Sequence, residues 1–251
     1  MRKRVLIAGA LVLAVAMTGW TGCRRVKMAD TQLVRTGSES TETTQVALAG
    51  VESLGTTLRM GVGELKLSAG EPSSTTALDA EFNVAPADRM PVLSYSVEGT
   101  RGALAITQPG SVDLALGTSE NTWVLRVSRD VPTSLSLKLG VGSSDIDLRG
   151  VDVTSLEAIT GVGEATIDLS GERVRDMTAH VEAGVGEVII RVPSRAGVRI
   201  IGSSDGIGDL SAPGFSRDGA DLVNAAWSGS GTKIELSITR GLGDVKIISV
   251  D

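Results

Sequence analysis

Through most of residues 45–251 apolar positions alternate with polar ones. Leu65 and Leu67 flank Lys66, Ile146 and Leu148 flank Asp147, and Val245 and Ile247 flank Lys246; Thr166 and Asp168 separate Ala165, Ile167 and Leu169. A period of two is that of a strand with one buried face and one wet face. The same alternation runs through Leu135, Leu137 and Leu139, through Val198 and Ile200, and through Ile234, Leu236 and Ile238. One phrase connects such runs: a glycine, an aliphatic residue, a second glycine, then usually an acid. It is written Gly61-Val62-Gly63-Glu64, Gly161-Val162-Gly163-Glu164, Gly184-Val185-Gly186-Glu187, Gly206-Ile207-Gly208-Asp209 and Gly241-Leu242-Gly243-Asp244. A sixth copy, Gly140-Val141-Gly142, carries Ser143 and Ser144 where the acid would be. No stretch has the 3.6-residue period of a useful amphipathic helix.

From Gly140 to Gly206 successive copies lie 21, 23 and 22 residues apart, a spacing that marks stacked repeat units. Two architectures fit. In an antiparallel β-sandwich the glycines would supply positive φ for tight hairpins. In a β-solenoid the phrase would be a corner that recurs every ~4.8 Å, so glycine is required at the same place in each coil. Even spacing favours the solenoid, an all-β fold with coils of about 22 residues; the sandwich is the alternative. Residues 45–130 hold one phrase and strand-like runs at 77–84, 92–97, 103–107 and 123–127, punctuated by Pro86, Pro91 and Pro109. They read as a looser N-terminal part of the stack, and residues 131–251 as its regular part with an insertion at 211–232. The run 245–250 reads as the terminal coil, and the insertion as its cap, with Phe215 and Trp227 as apolar anchors.

Leu58-Arg59-Met60 before the first phrase, the run Asn121-Thr122-Trp123-Val124-Leu125-Arg126-Val127, and Val131-Pro132 leading into the later phrases together resemble the toast-rack domain family. That family is similar in its repeats to the C-terminal domain of cell-wall-active-antibiotic response proteins and to a group of candidate surface adhesin domains. The resemblance covers residues 45–251. It implies a right-handed single-stranded β-helix with short rungs, in a cell-envelope setting, with no catalytic residues. It is also the sole pointer to a regulator that contacts a membrane sensor kinase.

The N-terminus gives an address. Arg2, Lys3 and Arg4 precede an apolar run at 5–17, too short to cross a bilayer core of ~30 Å as a helix but of signal-peptide length. Thr21 and Gly22 then lead into Cys23, the single cysteine, in a pattern that resembles a bacterial lipobox; Trp20 departs from the aliphatic residue usual there. Residues 1–22 are expected to be a lipoprotein signal peptide and Cys23 the lipid attachment site, since two acyl chains suffice to hold a protein on a membrane. Residues 23–44 are polar and read as a flexible tether.

Without Arg2, Lys3 and Arg4 the chain has 21 basic against 30 acidic residues, a charge of about −9 that argues against nucleic acid as a partner. One cysteine excludes an intrachain disulfide, and one histidine, His180, excludes a His/Cys metal cluster. The acids Glu64, Glu164, Glu187, Asp209 and Asp244 would line one edge of a solenoid, repelling by about 1 kcal/mol per neighbouring pair in water. Backbone N–H groups, solvation or a cation could offset that. Gly202-Ser203-Ser204-Asp205-Gly206 matches the nucleophile-elbow spacing but lacks the helix and the downstream histidine that motif needs. No catalytic, cofactor-binding or metal residues are assigned. The expected function is a lipid-anchored, non-catalytic envelope module with a structural, binding or stress-sensing role and a protein or glycan partner. The alternative is a carbohydrate-active solenoid enzyme using paired carboxylates among Asp145, Asp147 and Asp168. Scarce aromatic rings, 2% of the chain, argue against it.

Overall fold

The computed structural model describes residues 23–24, 29–36, 39–110, 121–204, 206–229 and 231–251. The expected signal peptide lies outside them. The first strands are Cys23–Arg24 (β1), Ala29–Thr36 (β2), Glu39–Ala47 (β3), Ser53–Ala69 (β4), Thr76–Val84 (β5) and Val92–Glu98 (β6). Arg101–Thr107 (β7), Asn121–Val127 (β8), Thr133–Asp147 (β9), Val153–Asp168 (β10), Met177–Val185 (β11) and Val188–Pro193 (β12) follow. The last are Gly197–Ser204 (β13), Leu210–Ser211 (β14), Phe215–Asp218 (β15), Asp221–Asn224 (β16), Lys233–Leu242 (β17) and Val245–Val250 (β18). Apart from two 3₁₀ turns, Ala87–Arg89 and Ala225–Ser228, the described residues hold no helix. The chain is all-β, and its strands join into one large mixed sheet.

The glycine phrases align in that sheet. Val62 pairs with Val141, Val141 with Val162, Val162 with Val185, Val185 with Leu242, and Leu242 with Ile207, all in parallel. At each phrase the buried positions change parity, as from Leu58 and Met60 to Leu65 and Leu67 in β4, and the halves of the sheet on either side of the line of phrases share one core. Ladders of aliphatic side chains fill that core, such as Leu67, Ile146, Ile167, Ile190 and Ile247, each at most 2% exposed. Two of the few rings lie together near one end of it. Phe82 and Trp123 meet edge to face at 5.5 Å, and the Trp123 indole N–H donates to Asn121 Oδ1 at 2.7 Å.

The order of the rungs in space departs from the order expected. The rungs of β9, β10 and β11–β12 stack as the chain runs, but both ends of the stack do not. β4 lies between β9 and the later strands β7 and β8. At the other end β17 and β18 lie between β11–β12 and β13–β14. The segment 245–250 is therefore an interior strand, with Val245 and Ile247 fully buried. Residues 215–224 form a hairpin, as a cap would, but they cover β13: β16 pairs antiparallel with it through Arg199–Val223 and Ile200–Leu222. β14, two residues long, is paired on one side only among the described residues, so the edge it exposes is short. Phe215 packs on the core, whereas Trp227 lies between cations, with Lys233 Nζ 4.4 Å and the Arg199 guanidinium 5.2 Å from its ring centre.

Where they are described, the residues expected to form a flexible tether lie in strands, and β2 pairs antiparallel with β3 from Ala29–Gln45 to Thr36–Glu39. Residues 39–44 belong to β3, which pairs antiparallel with β5 from Ser40–Val84 to Ala47–Thr76. β3 is thus paired on both edges, and part of its inward face is small and polar rather than apolar. Ser40 and Thr44 are each 3% exposed, and threonine favours the extended chain. The looser N-terminal part proves mixed, with β3, β5 and β6 antiparallel to their neighbours while β7 and β8 run parallel to β4.

Candidate functional site

The fold line is built by its glycines. The second glycine of every phrase has positive φ, +137° at Gly163, which turns the strand from one half of the sheet to the other. A Cβ on Gly163 would sit 1.8 Å from the carbonyl oxygen of Gly142 on the neighbouring rung, and one on Gly161 would sit 2.1 Å from that of Gly140. Both glycines are thus fixed by close backbone approach. The aliphatic residue between them is driven outward. Val141, Val162, Val185, Leu242 and Ile207 are 38%, 50%, 44%, 51% and 75% exposed, and with Val62 they form a continuous aliphatic crest.

The two ends of the crest are closed by side chains. Gln108 Oε1 accepts the N–H groups of Gly61 and Val62 at 2.7 and 3.1 Å, and Asn121 Nδ2 donates to the Val62 carbonyl. The two amides take the place of a neighbouring rung. At the far end Arg240 donates to the Gly208 carbonyl at 2.7 Å, and Asp244 Oδ1 accepts the Asp209 N–H at 3.0 Å. Replacing Asn121 with alanine would orphan the Val62 carbonyl and the fully buried Trp123 N–H. At ~1–3 kcal/mol per buried orphan, a loss of about 3 kcal/mol is expected in urea unfolding. Gln108→Ala, at a wetter site, is expected to cost less. Equal costs for the two variants would contradict this account of the cap.

Two of the acids after the glycines are offset by lysines. Lys66 pairs with Glu64 at 2.9 Å, and Lys246 pairs with Glu187. Each carboxylate raises the pKa of its lysine by hydrogen bonding to the ammonium. Among the described residues no group of three or more His, Cys, Asp or Glu is placed to hold a metal ion. Asp147 and Asp168 do come together, side by side on β9 and β10, but in the grip of arginines. Arg149 donates twice to Asp147, at 2.9 and 2.6 Å, and lies 3.7 Å from Asp168, which Arg191 approaches at 4.0 Å. The Arg149 hydrogen bond holds the Asp147 pKa below the usual carboxylate range. Asp168 is 6% exposed and accepts the Ser170 N–H. A fork of this kind fixes a turn and leaves neither carboxyl free for proton transfer. Asp145 stands apart, exposed on β9. His180 lies mid-strand in β11 between Glu157 and Ser237. Ser203 and Ser204 end β13, and no helix follows them among the described residues. Cys23 pairs through its backbone with Glu98 of β6.

The crest, its two caps and the arginine fork were not read from the sequence. The phrase itself held the signal for the crest, since its middle residue is aliphatic in every copy.

The family model described as the N-terminal domain of toast_rack, DUF2154, matches residues 35–191. The chain belongs to the toast-rack family. Among solved structures, this toast-rack chain is similar to one from Clostridium sporogenes ATCC 15579 described as a candidate cell adhesion protein. The two are 29% identical over 84% of this chain and 100% of that one, with a TM-score of 0.79. A candidate adhesin from Bacteroides fragilis NCTC 9343 also aligns, over 85% of this chain and 98% of that one, at 14% identity and a TM-score of 0.28. No curated protein matches. No helix among the described residues is long and apolar enough to cross a membrane.

Proposed function

We propose that this toast-rack chain is a non-catalytic binding module of the cell envelope, held outside the cytoplasm by a lipid on Cys23. In this reading the parallel stack is a short right-handed β-solenoid, wound at about 22 residues per coil through the phrases at Gly140, Gly161 and Gly184, with one rung placed out of chain order at each end. The observation that carries the reading is how the surface divides. Asp147 and Asp168, the carboxylates best spaced for acid–base work, are tied to arginine, whereas six aliphatic side chains in one row are left in water. A contiguous apolar stripe rimmed by charge marks a surface that meets another molecule. The similarity to the Clostridium sporogenes structure, described as a candidate cell adhesion protein, supports the same reading.

Three measurements test it. Cys23→Ala is expected to move the chain from the membrane fraction to the soluble fraction; a variant that stays with the membrane would defeat the anchor. A pull-down from intact envelopes with the anchor retained is expected to capture a protein or glycan saturably. Glycan cleavage abolished by Asp147→Asn or Asp168→Asn would overturn the non-catalytic assignment in favour of the enzyme.

A further inference from the structure

We infer that the aliphatic crest docks against the crest of a second copy of this chain, carried on a facing surface. The inference rests on the binding-module reading and names the partner. Three observations lead to it. First, the crest lies at the end of the described structure opposite Cys23. Cys23 pairs with Glu98 beside the β6–β7 turn, level with Arg101 and Ser53, and Val62 stands nine residues further along β4, roughly 30 Å away. A chain held at Cys23 therefore points its crest away from the surface that holds it.

Second, at its first rungs the crest is basic on one slope and acidic on the other. Arg59 and Lys138 are exposed before the phrase, on rungs one and two. Glu64, Glu164, Glu187, Asp244 and Asp209 follow it on the other slope. A two-fold axis running along the crest, between two copies, sets like rungs opposite each other and exchanges the slopes. Arg59 of one copy then faces Glu64 of the other, a carboxylate it would share with that chain's own Lys66, and Lys138 faces the gap between Glu64 and Glu164, each one rung or ~4.8 Å away. One like-charge meeting results, Glu182 with Glu187, and Lys246 already pairs with Glu187. The same axis sends the two N-termini in opposite directions, so the copies come from facing surfaces. An isologous contact of this kind needs no second surface.

Third, the size of the crest sets the strength. Its exposed apolar area, on the order of a few hundred Å² per copy, is below that of a standard stable interface of ~1,200–2,000 Å². Single copies should pair weakly, and arrays of tethered copies should pair firmly through multivalency.

The test uses the chain coupled through its one cysteine to maleimide lipid in vesicles, with clustering followed by light scattering. Vesicles bearing the unaltered chain are expected to cluster with one another. Val162→Asp with Val185→Asp, at side chains half in solvent, is expected to cut clustering at least tenfold while the far-UV spectrum is kept. Arg59→Glu with Lys138→Glu should abolish clustering, as should Glu64→Lys with Glu164→Lys, and mixing the two vesicle populations should restore it. Absence of clustering, clustering indifferent to the crest substitutions, clustering only with bare lipid vesicles, or failure of the mixed charge variants to recover would each overturn the inference. None of these results bears on envelope pull-down, so the broader reading stands or falls separately.

Discussion

Gly163→Ala is expected to leave the chain without a stable fold. The added methyl would lie 1.8 Å from the Gly142 carbonyl oxygen and 2.9 Å from its carbon, contacts that no side-chain rotation relieves because both partners are backbone. The residue also sits at φ +137°, which an L side chain rarely adopts. Strain of ~1–3 kcal/mol from the dihedral adds to at least as much from overpacking. β10 is paired on both sides, with β9 and with β11 and β12, so a shift that clears the clash breaks one ladder or the other. A total above about 4 kcal/mol approaches the whole stability of an ordinary domain. The graded series is the sharper test. Gly208→Ala meets the Gly243 oxygen at 2.0 Å, but its rung is outermost and can peel away, so a partial loss is expected. Val162→Ala, at the half-exposed crest, is expected to change stability by less than ~1 kcal/mol. Urea unfolding followed by circular dichroism should rank the three in that order. A Gly163→Ala chain within about 1 kcal/mol of the unaltered protein would refute the close-packed backbone.

The line of glycine phrases was legible because its cause is local and repeated. Two glycines at one spacing, six times over, report a backbone approach that no other residue survives, and the flanking alternation of residues such as Leu65, Lys66 and Leu67 reports which way each strand faces. The order of the rungs was not legible. Every rung offers the same pattern of small, aliphatic and acidic positions, so nothing local distinguishes Gly241 seated beside Gly184 from Gly241 seated beyond Gly206. That choice is made by long-range pairing and by covering of edges, which periodicity does not encode. Gln108 and Asn121 were hidden for the same reason. Each is an unremarkable amide until the fold places it beside the bare edge of the first phrase. The acid pair Asp147 and Asp168 was found by position, yet its meaning depended on Arg149, which reaches both only after β9 and β10 align.

Removal of residues 245–251 is expected to dismantle the C-terminal third of the protein. β18 runs between β12 and β14, in register with β12 from Val188–Val245 to Pro193–Val250, and it is the one strand paired with β14 among the described residues. Its loss uncovers one whole side of β12, strands β14 alone, and takes two fully buried side chains, Val245 and Ile247, from the core. Those two side chains are worth roughly 1.5–3 kcal/mol each, before any ladder hydrogen bond is counted. β17 would remain between β11 and β13, so the halves of the sheet would lose their match at the bend. The N-terminal rungs of β4, β9 and β10 share no ladder with β18 among the described residues and should hold longer. Limited proteolysis of the truncated chain is therefore expected to cut rapidly within 188–229 while a fragment containing 53–168 persists. Stacking in simple chain order makes the opposite forecast: residues 245–251 would be a terminal rung, and cutting them away would leave 188–229 protected. A truncated chain as resistant across 188–229 as the intact protein would show that β18 is not the interior strand on which the far end of the stack depends.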